Sequence, residues 1–212
     1  MPAQPMVADG YRFVLPPLLL AGAAIWLDWF WLGGVLLLLV LSIVYFFRDP
    51  ERTPPAEPDI VVSPADGHVV EIVEEAWEGR PGQRISIFLA VWDVHVQRAP
   101  VAGRITKVEY RPGKFFVASK QEASQQNEQN VIHMETSRGP MVWKQIAGLI
   151  ARRVLCWRSP GDTVALGERM GMIRFGSRCD VWLPPEAEIA VQRGQFVAGG
   201  TSILARWKGA AG

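Results

Sequence analysis

The 212-residue chain is 49% hydrophobic and 20% charged, with a formal net charge of +1. That composition excludes a disordered chain, and a near-zero charge without a basic cluster leaves no field to hold nucleic acid. Two cysteines, Cys156 and Cys179, and three scattered histidines, His68, His95 and His133, exclude a disulfide framework and predict no metal site.

Charge is unevenly spread along the chain. Residues 1–47 carry only Asp9, Arg12 and Asp28. The run 29–47, WFWLGGVLLLLVLSIVYFF, is uncharged and would span roughly 28 Å as a helix, close to the hydrocarbon thickness of a bilayer. The run 13–27 is also uncharged, with Pro16 and Pro17 near its start. These two runs predict an N-terminal transmembrane helical hairpin with Asp28 at its tip and Trp26, Trp29 and Trp31 near an interface. Arg12, Arg48 and Arg52 then lie on one side, cytoplasmic by the positive-inside rule. A single span at 29–47, with the first run in the interface, is the alternative. A cleaved signal peptide fits less well, because no small-x-small site precedes a polar start.

FRDPERTPPAEPD (47–59) reads as a Pro-rich linker. It divides the chain into a membrane anchor, 1–50, and a second domain, 51–212. Past the linker the pattern is short and strand-like. Strands are expected over 59–63, 67–74, 83–91, 104–110, 129–136, 140–146, 171–175, 178–183, 187–192 and 201–206, separated by Gly, Pro, Asp or Asn. The fold expected is mostly β, a compact sheet or barrel-like domain. The polar stretch 118–128 is a loop or a short helix.

Three local arrangements could carry chemistry. In SPADGHV (63–69), Asp66 precedes Gly67 where a strand opens; taken alone, this is a turn aspartate. In WDVHVQRAP (92–100), strand alternation puts Asp93, His95 and Gln97 on one face and Val94, Val96 and Arg98 on the other. A histidine on the polar face can act as acid or base, or can be a histidine at the core edge. In RFGSRCD (174–180), Gly176–Ser177 joins two strand-like pieces, and by itself it is a β-turn. In GKFFVASK (113–120), Phe115 and Phe116 fit either a lipid contact, with Lys114 and Lys120 at head groups, or a strand with core phenylalanines.

Taken in order, SPADG, DVH followed by a proline, GKFF-x-AS, NE and GDTVALGERMGMIRFGS resemble the short, membrane-anchored type of phosphatidylserine decarboxylase. The resemblance covers nearly all of 48–205. The turns SPADG and GDTVALGERMG also resemble those of biotinyl and lipoyl domains. No lysine stands in a Met-Lys-Met or Asp-Lys-Ala context, which weakens a carrier or accessory-domain reading. A membrane-tethered noncatalytic relative is the other alternative.

The resemblance implies that the chain cuts itself between Gly176 and Ser177, giving a β chain, 1–176, and an α chain, 177–212, that stay associated. A homo-oligomer is compatible with it. Ser177 would become a covalent pyruvoyl group. Its ketone would take the amine of phosphatidylserine as a Schiff base and accept the electron pair left by CO2, yielding phosphatidylethanolamine. Asp66 matches the carboxylate of the self-cleavage machinery, and His95 matches the proton donor after CO2 loss. Two departures stand out. Some members carry HxxH where this chain has His95 and Arg98, and NEQN (127–130) stands where NERN is common. His68 and His133 are the other imidazoles available for the first step.

Overall fold

Two compact units divide the chain, Met1–Glu51 and Arg52–Gly212. The structure, a computed structural model, describes residues 5–116, 118, 121–149, 153–174 and 176–208.

In the first unit, helix α1 (Ala8–Trp26) turns back into α2 (Phe30–Phe46). Asp28 lies in the connecting turn with φ 61. The helices approach closely at Gly33, where an added Cβ would stand 2.5 Å from Ile25 Cγ1. No helix among the described residues is long and apolar enough to cross a membrane, so the expected transmembrane hairpin is not met in that form. The physical reason differs for each helix. The first starts at Ala8, not at Phe13, and so takes Asp9 and Arg12 into its opening turns. The second has 17 residues, roughly 26 Å, against a hydrocarbon core of about 30 Å. Pro16 and Pro17 lie inside α1, where they cannot donate to the carbonyls of Arg12 and Phe13.

The second unit is mostly β, as expected. Its elements in order are β1 (Ile60–Val62), β2 (Gly67–Glu74), β3 (Gln83–Leu89), β4 (Val96–Arg98), β5 (Gly103–Arg111), a short helix α3 (Gln121–Gln126), β6 (Gln129–Thr136), β7 (Gly139–Ile146), β8 (Val154–Cys156), β9 (Thr163–Val164), β10 (Arg169–Ile173), β11 (Ser177–Leu183), β12 (Ala187–Ile189), β13 (Phe196–Val197) and β14 (Ile203–Trp207). They form three antiparallel sheets. The largest runs β13-β2-β3-β11-β7-β6-β5-β9, and the two smaller ones run β4-β10-β8 and β1-β14-β12.

Strand β11 lies between β3 and β7, with Ser177 opposite Leu89 and Arg178 opposite Ile146. Its period-2 alternation sends Cys179, Val181 and Leu183 into the core with Ile85, Ile87, Leu89, Met134 and Trp143. Burying each aliphatic side chain of this kind contributes about 1.5–3 kcal/mol. Arg178, Asp180 and Trp182 point to the opposite face, which is also buried. Gly67 has a conformational reason to be glycine: its φ is 148, and a Cβ there would stand 2.1 Å from Phe88 O across β2–β3.

Candidate functional site

The Gly176–Ser177 step lies at the start of β11, on the edge of the core. Gly176 has φ 59, a left-handed backbone that glycine adopts without steric cost. Ser177 is fully buried, and its Oγ has no hydrogen-bond partner among the described residues. A buried hydroxyl without a partner is costly in a settled core. Here it directly follows a backbone conformation that only glycine takes freely. Phe175 lies outside the described residues.

His95 is brought to this step. Its Nε2 is 3.3 Å from the Gly176 amide nitrogen, and its Nδ1 is 2.8 Å from the Asp93 carbonyl. These two contacts fix the tautomer. An amide N–H can only donate and a carbonyl can only accept, so the ring proton resides on Nδ1 and the lone pair on Nε2. His95 is therefore a neutral imidazole whose basic nitrogen faces the Gly176–Ser177 segment.

Three buried amides stand behind it. Gln97 Nε2 donates to His95 O at 2.8 Å, Gln145 Nε2 donates to Gln97 Oε1 at 2.9 Å, and Asn130 Nδ2 donates to Gln145 Oε1 at 3.1 Å. The ladder ties β4, β7 and β6 together and ends on the backbone carbonyl of His95. Strand alternation puts Gln97 on the His95 face and Asn130 closes the NEQN motif, but nothing in the sequence joins either of them to Gln145 on β7. The strand alternation expected across Asp93–Arg98 holds only from Val96. Before it the chain turns, and Asp93 Oδ2 accepts from the Ala90 amide at 2.7 Å.

Asp66 is buried, but its carboxylate is engaged elsewhere. Oδ1 accepts from the Gly199 amide at 2.7 Å, and Oδ2 pairs with Arg52 at 2.8 Å. The imidazole is oriented by a backbone carbonyl, and neither Gly199 nor Arg52 belongs to the Gly176–Ser177 step. Arg98, three residues beyond His95, donates to Gly167 O at 3.2 Å. His68 is exposed and packs edge-on against Phe196 at 5.3 Å. His133 packs edge-on against Trp77 at 6.1 Å, and burial pushes its pKa down. On their strands both alternate with core residues, so they point away from the face that carries Ser177.

Within NEQN, Asn127 is the organiser. Its side chain accepts from Phe116 N at 2.8 Å and donates to Phe116 O at 2.8 Å and Ala147 O at 2.7 Å. Glu128 Oε1 accepts from Val154 N at 3.3 Å. Gln129 Oε1 is buried without a partner. Phe115 packs against the core and Phe116 is partly exposed beneath Lys114, 5.5 Å from its ring; Lys120 lies outside the described residues.

The opposite face of β11 holds a buried ion network. Arg178 Nε meets Asp180 Oδ1 at 2.7 Å, and its Nη2 meets Glu71 Oε2 at 2.9 Å and Ser86 Oγ at 2.7 Å. Arg84 joins Glu71 at 2.9 Å and Glu75 at 2.8 Å, and Ser124 of α3 donates to Asp180. Burial alone would raise the Glu71 pKa, but hydrogen bonds from Arg178 and Arg84 hold it below its ordinary value. The register of β11 at Ser177 is thus pinned by the next side chain along.

Compared with known proteins, residues 39–205 match the family described as phosphatidylserine decarboxylase. A relative from Solibacter usitatus, named phosphatidylserine decarboxylase proenzyme, is 48% identical over 95% of this chain and 96% of its own length. A relative of the same name from Ruegeria pomeroyi is 46% identical over 95% of each chain.

Proposed function

Because the chain belongs to the phosphatidylserine decarboxylase family, we propose that it is a proenzyme that cuts itself at Gly176–Ser177 and then converts phosphatidylserine to phosphatidylethanolamine and CO2. The observation that carries this reading is the buried, unpartnered Ser177 Oγ beside a left-handed Gly176, with the basic nitrogen of His95 3.3 Å from the Gly176 amide.

A serine hydroxyl needs a base before it attacks. Ser177 Oγ bonds to the Gly176 carbonyl carbon, its proton passes to His95, and the C–N bond breaks with that proton delivered to the departing nitrogen. The amide has become an ester. Loss of the Ser177 α-proton then expels the Gly176 carboxylate. Hydration of the resulting unsaturated residue releases ammonia and leaves a pyruvoyl group at position 177. Residues 1–176 and 177–212 remain associated as β and α chains. The fit of that group rests on the Ser177 hydroxyl, which is enclosed and has no competing partner. Once formed, the pyruvoyl group supplies an electrophilic carbonyl and an electron sink for decarboxylation.

His95 then carries the proton returned to the substrate carbon, its tautomer held by Asp93 O and its backbone carbonyl held by Gln97, which Gln145 and Asn130 hold in turn. Asp66 is assigned to maturation as a supporting carboxylate that ties Arg52 to the Gly199 turn.

The reading also places the protein on a phospholipid membrane, with the domain 51–212 on the cytoplasmic side. The helical pair of 1–50 supports this, since it exposes Leu19, Trp26, Trp31, Leu38 and Leu41. Such a surface gains free energy by entering the lipid interface without crossing it. Trp92, Phe116 and Leu149 are exposed on segments next to the site, where a lipid substrate would arrive.

Denaturing mass spectrometry tests the proposal. Active protein should contain two chains split at 176/177, the shorter with a blocked N-terminus, and Ser177→Ala should stay whole. Phosphatidylserine turnover by an unbroken chain would refute it.

A further inference from the structure

The scissile carbonyl lies against a second glycine. A Cβ added to Gly148 would stand 1.9 Å from Gly176 O, 2.9 Å from Gly176 C and 3.2 Å from Ala118 Cβ. Gly148 is not among the positive-φ glycines, so its backbone conformation does not demand glycine. What demands it is the carbonyl oxygen in the space where a side chain would begin. The two glycines therefore divide the task. A Cβ added to Gly176 would meet nothing within 4 Å, so that glycine supplies the left-handed bend, whereas Gly148 supplies room for the carbonyl oxygen beyond it.

We propose that Gly148 is a positioning residue for self-cleavage: it forms the recess that holds the Gly176 carbonyl in line for attack by Ser177 Oγ. This rests on the self-cleaving reading above. In the step concerned, the Oγ–C bond forms and the C–N bond breaks, and the hydroxyl proton passes through the base to the nitrogen. No outside reactant enters. The carbonyl must present its carbon to a hydroxyl on the adjoining residue, a short tether that leaves little angular freedom. Gly148 follows directly on Ala147, whose carbonyl is bonded by Asn127, and whose amide donates to Glu128 O at 2.9 Å. One side of the recess is thus tied in place through Ala147 and another is closed by the Ala118 methyl, so with both present a methyl at 148 is pressed onto the carbonyl. Real Cβ contacts essentially never fall under 3.0 Å, so the displacement required is on the order of 1 Å. Misplacement by that amount costs about 100-fold in rate where reacting atoms must be aligned.

The test is the rate of chain splitting after a pulse of synthesis, followed by denaturing mass spectrometry of the full chain. Gly148→Ala should split about 100-fold more slowly than the parent. Gly148→Ala with Ala118→Gly should recover at least several-fold, because removing the Ala118 methyl lets the new one move away from the oxygen. Thermal unfolding is compared in the uncut Ser177→Ala background, with and without Gly148→Ala, and should shift by no more than a few degrees. Splitting of Gly148→Ala within threefold of the parent overturns the proposal. So does a slow variant that Ala118→Gly leaves slow, or a collapse of the Ser177→Ala fold on adding Gly148→Ala, since either outcome makes the glycine a general packing requirement. A parent chain that never splits marks failure of the self-cleaving reading itself, a different result from any of these.

Discussion

Replacing Arg178 with methionine keeps most of the side-chain volume and removes the charge next to Ser177. Asp180 is fully buried and would lose its 2.7 Å donor, keeping Ser124 and an Arg84 nitrogen 3.7 Å away. Glu71 and Ser86 each lose a hydrogen bond as well. Removing one partner of a buried ion pair leaves the other uncompensated and costs about 3–5 kcal/mol. For a domain of this size each kcal/mol moves the melting temperature by roughly 2–4 °C, so Arg178→Met should lower it by about 6–20 °C. The measurement is thermal unfolding in the Ser177→Ala background, where no cleavage intervenes. Its pH dependence has a definite sign. The folded pKa of Glu71 is depressed, so its contribution is fully present above the ordinary carboxylate value of 4.5 and is lost as pH falls through the lower folded value. The gap between parent and variant should be constant from pH 7 to about pH 4.5 and narrow below that. A shift under 2 °C at pH 7, or a gap that widens on acidification, would refute the network as the lock on β11.

Three further outcomes are expected. His95→Ala should slow both splitting and turnover per pyruvoyl, the latter by about 10²–10⁴-fold, whereas Asp66→Asn, which keeps an acceptor for the Gly199 amide, should slow splitting by less than His95→Ala does; mass spectrometry and lipid product analysis on the same samples decide it. Burial lowers the Lys144 pKa to about 8, between Trp77 and Trp182 rings each 4.9 Å away. The unfolded chain then binds more protons than the folded one between about pH 8 and pH 10.5, so parent stability should rise across that window, and denaturant titration of Lys144→Met should show the rise gone. Burial pushes the Cys179 thiol well up, so alkylation followed by peptide mapping should find Cys179 unmodified until the domain unfolds.

The long strands were legible because apolar alternation and turn residues coincide there. Strand β2 over 67–74 and β6 over 129–136 fall where the pattern put them. Strands β4, β8, β9 and β13 were not, since two or three residues carry no period and exist only because a neighbouring strand offers its edge. The apolar helices were visible, but their ends were not. A run bounded by charge says nothing of Asp9 and Arg12 joining the same helix beyond two prolines. In the site, motif order singled out Ser177 and His95 as candidates, and the structure adds the contact between His95 and the Gly176 amide. The surroundings of Asp66 were hidden because its partners, Arg52 and Gly199, come from opposite ends of the domain. Gly148 gave no sign at all: QIAGL reads as the end of a strand, and only the oxygen across from it makes the missing methyl meaningful.

Strand β11 begins at the proposed cut and is hydrogen-bonded along both edges, to β3 and to β7, while β13 and β14 beyond it pair with β2 and β1. Severing the backbone ahead of Ser177 therefore frees an end without freeing a piece. The shorter polypeptide lacks any sheet it can complete by itself, and the longer one loses its middle strand if the other departs. Once mature, the molecule would melt as one body but reassemble only by collision of two, so its recovery after heating should depend on concentration where that of the uncut precursor does not. Maturation in this fold is then a ratchet: the catalyst it creates is held by a structure that the separated chains have little means of rebuilding.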